Sequence, residues 1–319
     1  MSPFRLCSAC LLLALARGAP PRVTYEASYN VSIEYDIEYA TALSNCTNGT
    51  ACNATIPLTL DHFSPVGAAS SPRPAIVFVH GGSYCILNSS ELWPQATWFA
   101  ARGFETFSIN YRLASAHGNY PPGYDAWVPP FNASGWWGNN WNHMYPAVRD
   151  AKAAVRYVRA RATDLAIDAD AIVAYGSSAG ACSAVGLGSA FEADYKDELD
   201  GVDATLATTH PEQSSSVAAV LDHWGAVYAP DAVAFADGVS RFGAASAPTA
   251  AYHGLNDTVI VPDNSVWLCD TLRAAGVACE LNLFPNASHG CWDETVDGLT
   301  QDEDALLWLD SQQIVALDS

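Results

Sequence analysis

Positive charge is scarce in this chain. Its 319 residues carry 14 Lys plus Arg against 34 Asp plus Glu, a formal charge of −20 at pH 7. No basic stripe could neutralise a phosphate backbone, so nucleic acid is excluded as a partner. Anionic membrane surfaces are disfavoured on the same ground. No apolar run reaches the roughly 18 residues a membrane span needs, so no membrane-spanning helix is expected. Metal-site spacing is missing as well: beyond the first residues there is no Cys-x-x-Cys, and no two histidines stand four apart. The expectation is a protein that needs no metal and no cofactor. No internal repeat or low-complexity tract suggests an array or a disordered tail.

What is there begins with MSPFRLCSACLLLALARGA. Arg5 supplies a positive start, Leu6 to Leu15 a short apolar run, and Ala16-Arg17-Gly18 the small residues that precede a cut. This predicts a signal peptide over 1–18, followed by one domain over 19–319, and hence a secreted protein. Asn-x-Ser/Thr triplets at Asn30, Asn45, Asn48, Asn53, Asn88, Asn132, Asn256 and Asn286 suit a glycosylated product. Seven cysteines follow the leader: 46, 52, 85, 182, 269, 279 and 291. Asn48-Gly49 is a turn signal that brings Cys46 and Cys52 together, so a disulfide is predicted there. Cys269, Cys279 and Cys291 are candidates for a second. An odd count leaves at least one thiol unpaired within the chain.

From Tyr25 to Tyr39 the odd positions are Tyr, Ala, Tyr, Val, Ile, Tyr, Ile, Tyr and the even ones polar, which predicts a strand with one wet face. Residues 56–63 are its candidate partner. After Pro74 the pattern changes. Short, fully apolar strands are predicted at 75–79, 104–110, 172–175, 217–221, 249–252 and 280–284. Helices are predicted at 145–161, 179–190, 263–275 and 304–316. In the first of these, Val148, Ala151, Val155 and Val158 share one face, with Arg149, Lys152, Arg156 and Arg159 elsewhere. Strands without polar alternation, separated by helices, mean a mostly parallel sheet covered on both sides, with antiparallel strands at the N-terminal edge. Residues 114–144 break this grammar. They carry Trp127, Trp136, Trp137 and Trp141 without periodicity, and suit a lid-like insertion.

Chemistry enters at 176–180. Gly-Ser-Ser-Ala-Gly follows an apolar strand and precedes a helix. In this nucleophile-elbow pattern the middle residue, Ser178, is held on a strained turn, and Gly176 and Gly180 avoid collision with it. The helix that starts there aims N–H groups at an oxyanion. A serine needs a base and the base an orienting acid, in the chain order Ser, acid, His. His289, on the loop after strand 280–284, is the candidate base. Asp257, on the loop after strand 249–252, is the candidate acid, with Asp263 a rival. His253 and His223 lie near; His223 reads as a packed histidine. The third component is His80-Gly81-Gly82-Ser83, directly after strand 75–79. Gly82 and Ser83 are candidate oxyanion donors together with Ala179, and Gly81 permits the turn.

The set FVHGGS, INYRLA, YPAVRDAKAAVRYVRA, YGSSAGA, HGLNDTVIVP and FPNASHG resembles the α/β-hydrolase fold. Within it, the chain is similar to esterases related to hormone-sensitive lipase and to the branch grouped with feruloyl esterases and kynurenine formamidase. The resemblance covers roughly 74–292. It implies Ser178, Asp257 and His289 as a catalytic triad, Gly82, Ser83 and Ala179 as the oxyanion hole, and ester hydrolysis through an acyl-enzyme. Many relatives have a third glycine or an aromatic after His-Gly-Gly, where this chain has Ser83 and Tyr84. The expected partner is a small-molecule or polymer-derived ester. A peptidase of the same fold and a non-catalytic binding protein are the competing readings.

Overall fold

A computed structural model describes residues 18–68, 72–127 and 141–318. The leader sequence before residue 18, Trp136, Trp137 and Asn132 lie outside the described residues.

The chain enters through β1 (Arg22–Val23), then forms a hairpin of β2 (Asn30–Thr47) and β3 (Ala51–Val66). Asn48 and Gly49 close it with positive φ, 52° and 73°, as the Asn-Gly signal requires. The Cys46–Cys52 disulfide joins directly opposed residues just below that turn. Then follow β4 (Arg73–Val79), α1 (Trp93–Ala100), β5 (Glu105–Ile109), α2 (Met144–Ala160), β6 (Ile167–Ser177), α3 (Ala179–Ser189), β7 (Ala219–His223), α4 (Tyr228–Asp237), β8 (Thr249–Gly254), α5 (Asp263–Ala274) and β9 (Cys279–Phe284). A small hairpin, β10 (Thr295–Val296) and β11 (Leu299–Thr300), leads into α6 (Gln301–Ser311). The last strand, β12 (Ala316–Leu317), returns to pair with β1. Cys269 in the middle of α5 and Cys279 at the start of β9 form the second disulfide, so Cys85, Cys182 and Cys291 are free.

Eight strands make one sheet in the order β2-β3-β5-β4-β6-β7-β8-β9. The pairs from β5 to β9 are all parallel, and β2 and β3 add antiparallel strands at one edge. Alternate residues of the central strands feed two cores. Val77, Val79, Ile172 and Ala174 meet Val148, Val155 and Val158 of α2 on one face. Ile76, Phe78, Val173 and Tyr175 meet Phe99 of α1 and Leu306 and Leu309 of α6 on the other. Each such large side chain removed from water contributes about 1.5–3 kcal/mol.

Three local features depart from the expectation drawn from the sequence. First, the period-two pattern of the N-terminal strand does not keep one face inward. Ile33 and Tyr35 are exposed, whereas Ala40, Ala42 and Ser44 are buried, with register shifts between Glu34 and Ile37 and between Glu38 and Ala40. Each shift adds one residue to β2 and inverts its faces, so the two together restore the parity, and the even positions are buried because the strand is covered on their side farther along. Second, α1 and α4 are helices where none is expected from the sequence; α1 starts with Pro94 in its first turn, and α4 ends at Gly238 with φ 74°. Third, the charged side of α2 is not wet. Arg149, Asp150, Lys152 and Arg156 are all buried. The β2–β3 arm and the segment after α3 cover that side. Arg112 ion-pairs with Asp150 at 2.6 Å and donates to the Leu43 carbonyl of the arm at 2.9 Å. Lys152 donates to the carbonyls of Phe191, Glu192 and Asp194. Arg149 pairs with Asp203 at 2.9 Å.

Candidate active site

The parallel strands β4 and β6–β9 all point their C-terminal ends at one rim, where open α/β sheets place their sites. Each candidate residue sits on a loop leaving one of these strands.

Ser178 lies between β6 and α3 with φ 54° and ψ −120°, a conformation that side chains avoid. Its N–H donates to the carbonyl of His223 at 2.9 Å, which fixes the turn against the end of β7. The flanking glycines are required by space. A Cβ at Gly176 would stand 2.4 Å from the Gly180 carbonyl oxygen, and one at Gly180 would stand 1.9 Å from that of Val79. The strand therefore runs straight into a helix only if both positions are bare.

His289 comes from the loop after β9 and Asp257 from the loop after β8. His289 Nε2 is 2.8 Å from Ser178 Oγ, and His289 Nδ1 is 2.7 Å from Asp257 Oδ2. The imidazole is a quarter exposed, whereas the carboxylate is buried. Asp257 Oδ1 accepts the N–H groups of Val259 at 2.8 Å and Ile260 at 3.0 Å. A second imidazole, His253 at the end of β8, stands 3.2 Å from Asp257 Oδ2 and 2.8 Å from the Ile260 carbonyl. Burial alone would push the Asp257 carboxyl up. The hydrogen bonds from His253 and His289 outweigh it and hold the group well below the usual carboxylate range. Asp257 is thus an anion aimed at His289. Asp263, the rival acid, instead opens α5.

The loop after β4 brings its backbone beside the elbow. Gly82, Ser83 and Tyr84 take consecutive positive φ values of 92°, 55° and 60°. The turn is therefore made at Gly82, not at Gly81. A Cβ at Gly82 would stand 2.2 Å from the Ile86 carbonyl oxygen. Gly81 is small for another reason: its Cα faces Ser177 and Ser178, with a Cβ 3.3 Å from that of Ser178. Tyr111 donates its hydroxyl to the carbonyls of His80 at 2.9 Å and Gly81 at 2.8 Å. Ala179 is the first residue of α3. Among the described residues, no side chain accepts from the N–H of Gly82, Ser83 or Ala179.

Sequence reasoning missed several groups here. His223 is packed, as read, between Tyr175 at 4.5 Å and Tyr252 at 4.8 Å. Burial lowers its pKa to about 3, so it stays neutral. Its Nδ1 faces Gln301 Oε1 at 2.9 Å, and Gln301 Nε2 donates to the Cys291 carbonyl. Gln301 thereby ties α6 to the loop that carries His289. A lone glutamine gives no sequence signal for that task. Glu91, Tyr111 and the His253–Asp257 contact are equally silent. Trp127 of the insertion packs on Tyr124 at 5.3 Å. No cluster of three metal-ligating side chains occurs among the described residues, and none of their helices is long and apolar enough to cross a membrane.

A family model described as BD-FAE, an α/β-hydrolase esterase family, matches residues 139–229. No curated protein matches the chain in sequence. Among solved structures, esterase 2 of the planctomycete Thermogutta terrifontis is similar. Its butyrate-bound form superposes with a TM-score of 0.63 at 23% identity, covering 83% of this chain and 92% of that one. Its propionate-bound form gives 0.63 at 22% identity, with 92% and 97% covered. The form phosphorylated by paraoxon gives 0.63 at 22%, with 89% and 95% covered. The likeness establishes that the chain has the α/β-hydrolase fold.

Proposed function

We propose that this α/β-hydrolase-fold chain is a serine carboxylesterase with Ser178, His289 and Asp257 as its triad. The observation that carries the reading is the unbroken relay Ser178 Oγ, His289 Nε2, His289 Nδ1 and Asp257 Oδ2, with links of 2.8 Å and 2.7 Å. His289 takes the hydroxyl proton as Ser178 Oγ attacks the ester carbonyl. Asp257 fixes the imidazole tautomer and stabilises the imidazolium. The N–H groups of Gly82, Ser83 and Ala179 stabilise the tetrahedral oxyanion. His289 returns the proton to the departing alkoxide, leaving an acyl group on Ser178. Water then adds, its proton going to His289 and back to Ser178 Oγ as the carboxylic acid departs. No metal or cofactor takes part in these steps. The butyrate and propionate complexes of the Thermogutta esterase favour a short acyl group here too.

A chain-length panel of p-nitrophenyl esters beside a peptide substrate, on wild type and Ser178→Ala, tests the reading. Ester turnover that vanishes in Ser178→Ala supports it. Peptide turnover alone would make the protein a peptidase, and no turnover at all would make it a binding protein. A histidine base further requires that turnover fall below about pH 6; a flat profile down to pH 4 would count against it.

Export from the cell belongs to the same proposal. Two disulfides support an oxidising compartment. Full-length expression in a secretory host should deliver glycosylated protein to the medium, with Asn256 and Asn286 bare because a sugar beside Asp257 and His289 would obstruct substrate. Glycan on either in active enzyme overturns that part.

A further inference from the structure

The loop after β4 and the elbow after β6 are separate pieces of chain, and an oxyanion hole built from both works only if their spacing is fixed. One side chain joins them. Glu91 Oε2 accepts the N–H of Gly81 at 3.0 Å and the hydroxyl of Ser177 at 3.1 Å; Oε1 lies 3.3 Å from the same hydroxyl. Gly81 adjoins the candidate donors Gly82 and Ser83, and Ser177 adjoins Ser178. Glu91 has no cation beside it among the described residues. Burial pushes its carboxyl up, and the bonds from Gly81 and Ser177 oppose that rise.

The glutamate is itself held firmly. It sits in a short 3-10 turn, Ser89–Leu92, capped by Asn88, whose Oδ1 accepts the Ser90 N–H at 2.9 Å. The turn is pinned to the end of β5. Ser108 Oγ donates to the Ser89 carbonyl at 2.7 Å, and Asn110 Oδ1 accepts the Ser89 N–H at 2.9 Å. Tyr111, next along, grips the carbonyls of His80 and Gly81. The loop is thus clamped from both sides of the Gly81 peptide: its N–H by Glu91, its carbonyl by Tyr111. With the Gly81 N–H committed, the next two N–H groups are left for a ligand oxygen.

We propose that Glu91 is a positioning residue that locks the Gly81–Ser83 backbone to the nucleophile elbow and so sets the oxyanion hole. This rests on the esterase reading above. Glu91 touches no reacting atom. Its removal shifts donors instead of deleting them, and a shift of the order of 1 Å costs about 100-fold.

The test compares wild type, Glu91→Ala, Glu91→Gln and Ser178→Ala. Active sites are counted by the p-nitrophenol released on stoichiometric phosphorylation by diethyl p-nitrophenyl phosphate, so misfolded protein drops out of every rate. Glu91→Ala should lose roughly 10- to 100-fold in kcat per titrated site with KM within about twofold. Its affinity for an alkyl trifluoromethyl ketone, which binds as a tetrahedral oxyanion, should fall by a similar factor. Glu91→Gln should recover most of both, since its amide oxygen can accept from Gly81 and its NH2 can face Ser177. Wild-type kcat per site in Glu91→Ala, or a glutamine no better than alanine, overturns the proposal while leaving the esterase reading intact. A wild type that releases no more p-nitrophenol than Ser178→Ala overturns both.

Discussion

Two regions of this molecule bury polar groups, and they use them differently. Around α2, most buried charges are spent on their neighbours, although Arg149 Nη1 and Arg156 Nη1 find no hydrogen-bond acceptor among the described residues. Arg112 engages both oxygens of Asp150, the Leu43 carbonyl and Asn119, and Lys152 engages three carbonyls. At the rim, capacity is held back. Ser178 keeps a strained φ of 54°, and among the described residues no side chain takes the N–H groups of Gly82, Ser83 and Ala179. Paired charges hold a fold in place, whereas uncommitted groups on a rigid frame at the sheet's rim are available to a substrate. Burial alone does not separate the two; their place in the fold does.

The comparison makes a sharp demand: rim substitutions should cut rate and spare the melt, and arm substitutions should do the reverse. The largest effect belongs to Ser178→Ala, which should lower p-nitrophenyl ester turnover by roughly 10⁴-fold or more, as removal of a triad nucleophile does. Alanine keeps the Cβ and so the same positive-φ backbone, and only a hydroxyl is lost, so the melting temperature should stay within a few degrees of wild type by calorimetry. A variant that retains turnover ends the distinction at once.

Next comes Arg112→Met. It strands Asp150 in a site where the carboxylate is buried, which costs about 3–5 kcal/mol. Urea denaturation measures the loss. Turnover per titrated site should stay near wild type; a fall by more than a few-fold would mean that the arm reaches the rim.

A smaller effect is expected at the arm's tip. Replacing Cys46 and Cys52 by serine opens a short loop worth roughly 2 kcal/mol of chain entropy. The same denaturation series reads it, and unchanged stability would mean that the contact of the tip with His117 and Tyr120 suffices.

The smallest effect at neutral pH, one that grows on acidification, tests a buried group beneath the rim. His223 has its folded pKa lowered to about 3, against about 6.5 unfolded. Between those values the unfolded chain binds a proton that the folded chain refuses, so stability falls as pH falls below about 6.5. His223→Gln keeps a donor toward Gln301 and does not titrate. Its stability relative to wild type should therefore improve on acidification, by at most about 1.4 kcal/mol per pH unit. A constant difference from pH 7 to pH 4 would show that His223 is not held neutral.

The sequence reading was uneven for reasons visible in particular residues. The elbow was legible because its constraint is local: five consecutive residues and the elements on either side carry it. His289 and Asp257 were named from chain order and from loops that follow strands, and the structure brings both to Ser178. Glu91, Tyr111 and Gln301 were not legible. Each is a single polar residue whose task is defined by a partner tens of residues away, such as Ser177 for Glu91. Gly81 was given the turn that Gly82 makes, because two adjacent glycines look alike until a carbonyl is placed beside one of them. The burial of the charged side of α2 was not legible, because periodicity reports the helix and not what lies over it.

The amino-acid sequence by itself determined the alternation of strands and helices, the parallel sheet with its antiparallel edge, the glycine-flanked serine and the Asn-Gly turn over Cys46 and Cys52. These follow from short-range sterics and from apolar spacing, which a linear reading can measure. Only the tertiary structure decided which buried charges are neutralised under the arm, where the buried face of β2 changes sides, and which carboxylate holds the loop after β4 against the elbow. Those outcomes depend on distances between residues far apart in the chain, and such distances exist only once the backbone has been folded around its two cores.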